Sequence, residues 1–330
     1  MIRLLEPKEE YTVDYPMAIA YAEMQQDIFW TSNEIDMEKD LHGLRTDLTE
    51  AEYHAITESL KLFTLYELKV GDYWLEYVYK TFRRPDIQRM AAVFGFFEHN
   101  VHAPFYNKVN EVLGLNTDEF YTSYKKDKEL RARMDWLETC FDDDPLWNVG
   151  LASMIEGAIL YSNFAFFKHF QASGKNKLVN LCAGINFSVR DENIHSEAGA
   201  WLFKEMVKEQ RVELGPNNSP RDEFEVELEG YYKRFREAGT QIFKHESRII
   251  DMLFEKGGMK GITPEQMKTF VQARINLCLE QLGIEPLFEV TYDPISKWFY
   301  KNINSGQLHD FFHKQGNNYN RDWIEGGFTW

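Results

Sequence analysis

An all-α bundle of long helices is the fold this sequence predicts. Three observations carry that reading. Capping signals open long segments whose apolar residues recur at helical spacing. Stretches with the period-two alternation of strands are scarce. Several of the helical segments are apolar around most of their circumference, a pattern that belongs to helices in the middle of a large bundle.

The first long segment opens at Thr49, which forms a capping-box pattern with Glu52 ahead of "TEAEYHAITESLKLFTLYELKVGDYWLEYVYKTF". Pro85 with Asp86 opens a second, reaching about Gly114. Asp144 with Pro145 opens a third, "PLWNVGLASMIEGAILYSNFAFFKHF", which stops at Gly174. A fourth runs from Lys177 to about Leu214, and "GPNNSPRDE" then breaks the pattern. Two more helices follow, one from Asp222 and one from Thr263, where "TPEQ" supplies cap, N1 proline and N3 glutamine. The last stretch, "QGNNYNRDWIEGGFTW", is rich in Asn and Gly, has little periodicity and ends in aromatics. The expected organisation is one helical domain over 1–314 and a flexible C-terminal arm over 315–330.

Composition narrows the function classes. The 330 residues are 44% hydrophobic, enough for one large core. The formal net charge of −16 argues against a nucleic-acid or anionic-membrane partner, because both require basic patches. Cys140, Cys182 and Cys278 are odd in number, far apart and without a CxxC pair, so neither a disulfide framework nor a thiolate metal site is expected. The N-terminus carries acids where a signal peptide needs an apolar stretch, and no apolar run approaches the roughly 18 residues of a bilayer span. The expectation is a cytoplasmic protein.

Acids in apolar surroundings point to chemistry. Glu67 sits in "LYELKV", Glu98 and His102 in "FFEHNVHAPFY", Glu156 in "SMIEGAIL", and Glu192 with His195 in "RDENIH". The order is a lone Glu, then Glu with His, repeated once. Each interval from lone to paired Glu lets one helix end and its neighbour return. A four-helix bundle that binds two metal ions needs this set: one Glu from each of two helices and a Glu–His pair from each of the other two. Four carboxylates converging in an apolar core would repel one another severely, and two cations remove that penalty. Oxygen and imidazole donors suit iron or manganese. A single buried Glu–His pair would be read as a structural hydrogen bond; the fourfold pattern in bundle order is what favours metal.

One ligand has two candidates. His102 can pair with Glu98 at i+4 or with His99 at i+3, since both spacings share a helix face. Symmetry with Glu192 and His195 selects His99. Charge balance selects Glu98, and a local π-bulge would absorb the extra residue. Glu98 is the favoured assignment, with His99 facing away or supporting from behind.

At these residues the sequence resembles the radical-generating small (β) subunit of class I ribonucleotide reductase. "FWTSNEID" near residue 30, "NVHAPFY" at 100–106, "ENIHSE" at 192–197 and "DPISKWFYKNI…DFFHKQGNNY" carry the resemblance over most of the chain. It implies a ferritin-like bundle with a dinuclear metal centre and a homodimer. The implied ligands are Glu67, Glu98, His102, Glu156, Glu192 and His195. Tyr106 matches the tyrosine that becomes a stable radical. Trp30, Asp191 and His102 match a hydrogen-bonded route from the surface to the metals, and Tyr319 matches the tail tyrosine that passes the radical to the large (α) subunit. Glu in place of Asp at 67 and the extra residue in the first Glu–His pair look closer to subgroups that use manganese, some of which keep the oxidising equivalent on the metals. Manganese is therefore favoured over iron, and the radical role of Tyr106 stays open.

The implied function is the small subunit of ribonucleoside-diphosphate reductase. Its metals would react with dioxygen or superoxide and pass an oxidising equivalent to the large subunit for deoxyribonucleotide synthesis. Neither a G-x-x-x-x-G-K nor a G-x-G-x-x-G phosphate loop occurs in the chain. The arm would dock the large subunit, with Phe328 and Trp330 as aromatic anchors. The alternatives are a dimetal oxidase acting on its own small-molecule or lipid substrate, a metal-storage shell, and a purely structural scaffold, which leaves four inward glutamates unexplained.

Overall fold

The computed structural model describes residues 3–216 and 219–301. Helix α1 spans Pro16–Asp27. Helix α2, Glu50–Asp72, opens at the expected capping box: Glu52 N–H donates to Thr49 Oγ1 (3.2 Å) and Thr49 N–H donates to Glu52 Oε2 (3.0 Å). It widens into a π turn over Tyr73–Val78 and finishes at Tyr79–Thr81. Helix α3, Pro85–Phe97, passes through a second π segment, Glu98–His102, into α4, Ala103–Leu113, which stops at Gly114. Helix α5 covers Lys128–Thr139, α6 Pro145–Ala158, α7 Tyr161–Lys168 and α8 Val179–Leu214. Helices α9, Ser219–Leu253, and α10, Pro264–Gln281, complete the set. Among the described residues, β-structure is confined to an isolated bridge between Met259 and Ile262. The arm over 315–330 lies outside the described residues.

Most boundaries fall where caps and prolines put them, but three features differ. The third segment is not one helix. It breaks after Ala158, where Ile159 is extended and Leu160 adopts a left-handed φ of 72°. Periodicity cannot reveal this break, because every residue from Leu146 to Lys168 except Ile159 and Leu160 is helical and all are buried. Second, α1 and α5 have no counterpart in the sequence reading. The apolar residues of α1 gather on no clear stripe, and the opening signal of α5 is an Asp127 cap that accepts from the N–H groups of Glu129 and Leu130. Third, Pro145–Ala172 is long and apolar enough to cross a membrane by length and composition, contrary to the expectation that no run approaches that size. Its most apolar 18-residue window is wholly buried inside the bundle.

The centre of the molecule is built from α2, α3–α4, α6 and α8. Helices α6 and α8 close on each other through small residues: Ser153 Oγ donates to Ser196 O (2.7 Å) and Ser196 Oγ donates to Ser153 O (2.9 Å). Gly71 lets α2 approach the second π segment; a Cβ there would overlap the His99 ring and stand 3.1 Å from Glu98 Cβ. Gly184 does the same between α8 and α4, where a Cβ would overlap the buried Phe105 ring. The carbonyl of Gly157, released by the break after Ala158, accepts from Arg274 Nε (2.9 Å) and Nη2 (2.7 Å). That guanidinium is buried and also lies 3.8 Å from the Tyr161 ring centroid.

A second buried cation ties the outer helices together. Arg133 on α5 pairs with Glu246 on α9, Ser162 on α7 donates to Glu246, and the Arg133 guanidinium lies 4.7 Å from the Tyr66 ring centroid on α2. Removing one partner of such a pair strands a buried charge. Glu246→Ala should lower stability by about 3–5 kcal/mol, read as a fall in the midpoint of chemical unfolding.

Candidate metal centre

The six predicted ligand side chains meet at one point in the core. Glu67 comes from α2, Glu98 and His102 from the π segment, Glu156 from the last turn of α6, and Glu192 and His195 from the middle of α8. None is more than 5% exposed. The donor atoms fall into two groups: Glu67, Glu98, His102 and Glu192, and Glu98, Glu156, Glu192 and His195. Within each group they lie within 4.8 Å of one another. Glu98 and Glu192 belong to both groups, so each has a carboxylate available to bridge two ions.

The distances describe the crowding. His102 Nδ1 lies 3.1 Å from Glu98 Oε2, 3.2 Å from Glu192 Oε1 and 3.4 Å from Glu67 Oε2. His195 Nδ1 lies 2.8 Å from Glu98 Oε1, 3.6 Å from Glu192 Oε2 and 3.9 Å from Glu156 Oε2. The Glu98–His195 approach is an ion-pair distance without hydrogen-bond geometry, for both atoms are left unpartnered. Glu67 Oε1 and His195 Nε2 are also buried with no hydrogen-bond partner. Buried polar atoms are normally satisfied, and a cluster of exceptions calls for an explanation such as an ion. The set is rich in carboxylate and imidazole and contains no thiolate, so it fits hard or borderline cations of the manganese or iron kind.

Electrostatics sharpen the point. Burial pushes the carboxyls of Glu67 and Glu156 well above the usual range, and the charges of Glu98 and Glu192 push them further. Burial acts the same way on Glu98 and Glu192, but His102 and His195 outweigh it and hold both below the usual range. Burial would lower the histidines; the surrounding carboxylates instead raise His102 well above its ordinary value and His195 to about 9. These shifts favour protons on the cluster, which a bound cation would have to displace.

His99 sits elsewhere. Its side chain is 28% exposed and its Nε2 lies 3.3 Å from Asp72 Oδ1. The π segment is what turns both Glu98 and His102 inward: a wider turn brings i and i+4 onto one spot, as the extra residue requires.

The remaining predicted residues surround this cluster. Asp191 Oδ2 accepts from Trp30 Nε1 (2.8 Å) and lies 3.0 Å from His102 Nε2, so a proton on that nitrogen leaves Nδ1 facing the glutamates. Trp30 is buried against Phe105 and Phe187. Tyr106 is fully buried and its hydroxyl donates to Ser188 Oγ (3.1 Å), not to a carboxylate of the cluster. Phe63 packs against Tyr106 at 4.5 Å with the rings tilted by 36°, and Phe164 stands behind Phe63 at 5.7 Å. Burial, then the Glu67 charge, pushes the Tyr106 phenol well up. Tyr319, Phe328 and Trp330 lie outside the described residues.

Three contributors were missed by sequence reasoning. Trp74 Nε1 donates to Glu156 Oε1 (2.7 Å), and its place two turns after Glu67 on one helix face was a signal available beforehand. Ser188 and Arg274 left no comparable trace, because their roles depend on helices distant in sequence.

Comparisons with known proteins agree with this geometry. The family model for the ribonucleotide reductase small chain matches residues 9–294. A ribonucleoside-diphosphate reductase subunit beta from Halalkalibacterium halodurans is 29% identical over 316 residues, spanning 91% of this chain and 85% of its own. The subunit beta from Bacillus subtilis is 24% identical over 310 residues, spanning 90% and 87%. A crystal structure from Bacillus halodurans assigned to class I ribonucleotide reductase superimposes with a TM-score of 0.75 at 25% identity, covering 88% of this chain and 100% of that one. The dimanganese(II)-NrdF of Streptococcus sanguinis has the same fold, with a TM-score of 0.71 at 21% identity over 89% and 99% of the two chains.

Two substitutions separate the rival ligand assignments. Glu98→Ala should reduce bound metal from about two ions per chain to less than one, whereas His99→Ala should leave the content unchanged, both measured by elemental analysis. Asp191→Asn should keep the helical circular dichroism and weaken metal affinity by about 10–100-fold, measured by competition with a chelator.

Proposed function

The chain belongs to the ribonucleotide reductase small-chain family, and we propose that its buried carboxylate–histidine cluster is the dinuclear metal centre from which an oxidising equivalent passes to a large subunit. Glu67, Glu98, His102, Glu156, Glu192 and His195 are the proposed ligands. Manganese is the metal we infer, on the glutamate at position 67 and the four-residue step from Glu98 to His102. When bound, the two ions supply a site that reacts with an oxygen species and stores a one-electron oxidising equivalent.

The observation that carries this reading is the overlap of two four-residue donor sets in Glu98 and Glu192, joined through His102 and Asp191 to Trp30. The work of the chain is then positional. Asp191 holds the His102 and Trp30 rings by hydrogen bonds to one oxygen, which fixes the imidazole and links it to the buried indole. Phe63, Phe105 and Phe164 exclude water from the Tyr106 side of the cluster. Tyr106 can hold the equivalent as a phenoxyl radical; Ser188 Oγ is the group that accepts its hydrogen bond. Tyr319 and the arm over 315–330 complete the proposed route, with the large subunit as partner and a homodimer as the assembly. The family match favours this reading over a free-standing dimetal oxidase.

Deleting the chain from Gln315 onward should leave metal content unchanged and abolish ribonucleotide reduction in the presence of the large subunit. Full turnover by the truncated protein would remove Tyr319 and the arm from the mechanism. Electron paramagnetic resonance of the active form, with elemental analysis, separates a coupled manganese pair from an iron-adjacent tyrosyl signal.

A further inference from the structure

We propose that Arg274 is a positioning residue that ties the ligand-bearing turns at Glu156 and Glu192 to Tyr300, so that occupancy of the metal centre is felt near the C-terminal end of the described chain. The inference rests on the metal-centre reading and adds a mechanical link leading from that centre toward the arm.

One guanidinium makes the junction. Arg274 on α10 is 1% exposed. Its Nε and Nη2 both donate to the Gly157 carbonyl, one residue beyond Glu156. Nη2 also donates to Asn193 Oδ1 (3.2 Å), one residue beyond Glu192, and Nη1 donates to the Tyr300 hydroxyl (2.9 Å). Asn193 Oδ1 is held a second time, by the Tyr161 hydroxyl (2.8 Å). Gly157 lets α10 come this close: a Cβ there would overlap Cys278 Sγ on α10 and Ser196 Oγ on α8. Among the described residues no carboxylate pairs with Arg274, although a buried charge ordinarily takes such a partner. Neutral acceptors hold it instead, and two of them adjoin glutamates of the cluster.

The far end of the tie is anchored as firmly. Tyr300 follows a short helix, Ser296–Phe299. Phe299 is fully buried against Phe270 (4.7 Å) and Tyr161 (6.0 Å). Lys168 Nζ, on α7, donates to the Phe299 carbonyl (2.6 Å) and lies 4.3 Å from the Phe299 ring centroid. The Arg274 guanidinium stands 3.8 Å from the Tyr161 centroid and 5.9 Å from that of Tyr300, so it is packed between the two phenol rings.

Such a junction transmits displacement. A guanidinium is planar and its donors keep a fixed fork, so the acceptors on its different edges cannot shift independently without losing bonds. Bond loss in a buried site costs the desolvation of each stranded group. Rearrangement of Glu156 and Glu192 around ions therefore moves Gly157 and Asn193, and Arg274 passes the shift to Tyr300. The coupling is reciprocal: whatever fixes Tyr300 also biases the two glutamates.

The test compares the full-length protein with and without bound manganese(II). The amides of Trp298 and Phe299, which donate to Ile295 O, should exchange with deuterium about fivefold more slowly when the metal is bound, read by mass spectrometry. Tyr300→Phe, which removes one hydroxyl, should abolish that difference at unchanged metal content and helical circular dichroism. Arg274→Lys, which cannot reach Gly157, Asn193 and Tyr300 together, should do the same and alter the electron paramagnetic resonance signal of the bound manganese. A purely structural role for Arg274 would lower the unfolding midpoint and leave that signal as it is. Equal exchange in the metal-free and metal-loaded parent, metal-dependent slowing retained in Tyr300→Phe, or an unaltered signal in Arg274→Lys would each overturn the proposal. Elemental analysis of the same samples separates failure of the centre, with no metal bound, from failure of the tie, with metal bound and exchange unmoved.

Discussion

Four carboxylates share one dry pocket at the centre of this molecule, and everything around them answers to their mutual repulsion. Two unit charges 4 Å apart interact by about 4 kcal/mol even at an effective dielectric of 20. Glu98 and Glu192 are buried with donor atoms within 4.8 Å of those of Glu67 on one side and of Glu156 on the other. Burial and neighbouring charge favour the protonated forms of Glu67 and Glu156, and the carboxylates favour charged His102 and His195, which eases part of the repulsion. A pair of cations would offset the remaining charge and give partners to the donor atoms that otherwise have none.

Holding such a cluster requires helices that come closer than ordinary side chains allow. The reciprocal serine bonds between α6 and α8 bring Glu156 beside Glu192, and Gly71 brings α2 beside Glu98. The break at Ile159 and Leu160 ends α6 just past Glu156, and the buried Arg274 takes the carbonyl this releases. The unwound residues also line the small cavity beside the cluster. Irregular backbone, close packing and buried charge are thus concentrated at one place, where regular helices alone would leave neither room nor donors for ions.

The sequence carried the site further than it carried the helix list. The six side chains that meet in the pocket were legible because charged residues in apolar segments are rare and their bundle order is constrained. The choice of Glu98 over His99 was only half legible. Spacing allowed both, and the assignment rested on charge balance until the π segment put Glu98 in the pocket and His99 beside Asp72. Trp74 was readable from its helical register with Glu67 and was passed over. Helix α1 was hidden for the opposite reason: it shows no clear apolar stripe to announce it.

By itself the sequence determined that the protein is helical, where most of its long helices begin, and which acids and histidines would gather in the core. Caps, prolines and residue type act over a few positions, so they survive in a linear reading. Tertiary structure alone decided the broken helix after Glu156, the pinning of Gly157 by Arg274 and the Ser188 partner of Tyr106. Each of these joins segments far apart in the chain, and the energy that fixes them comes from packing and desolvation, which no local pattern encodes.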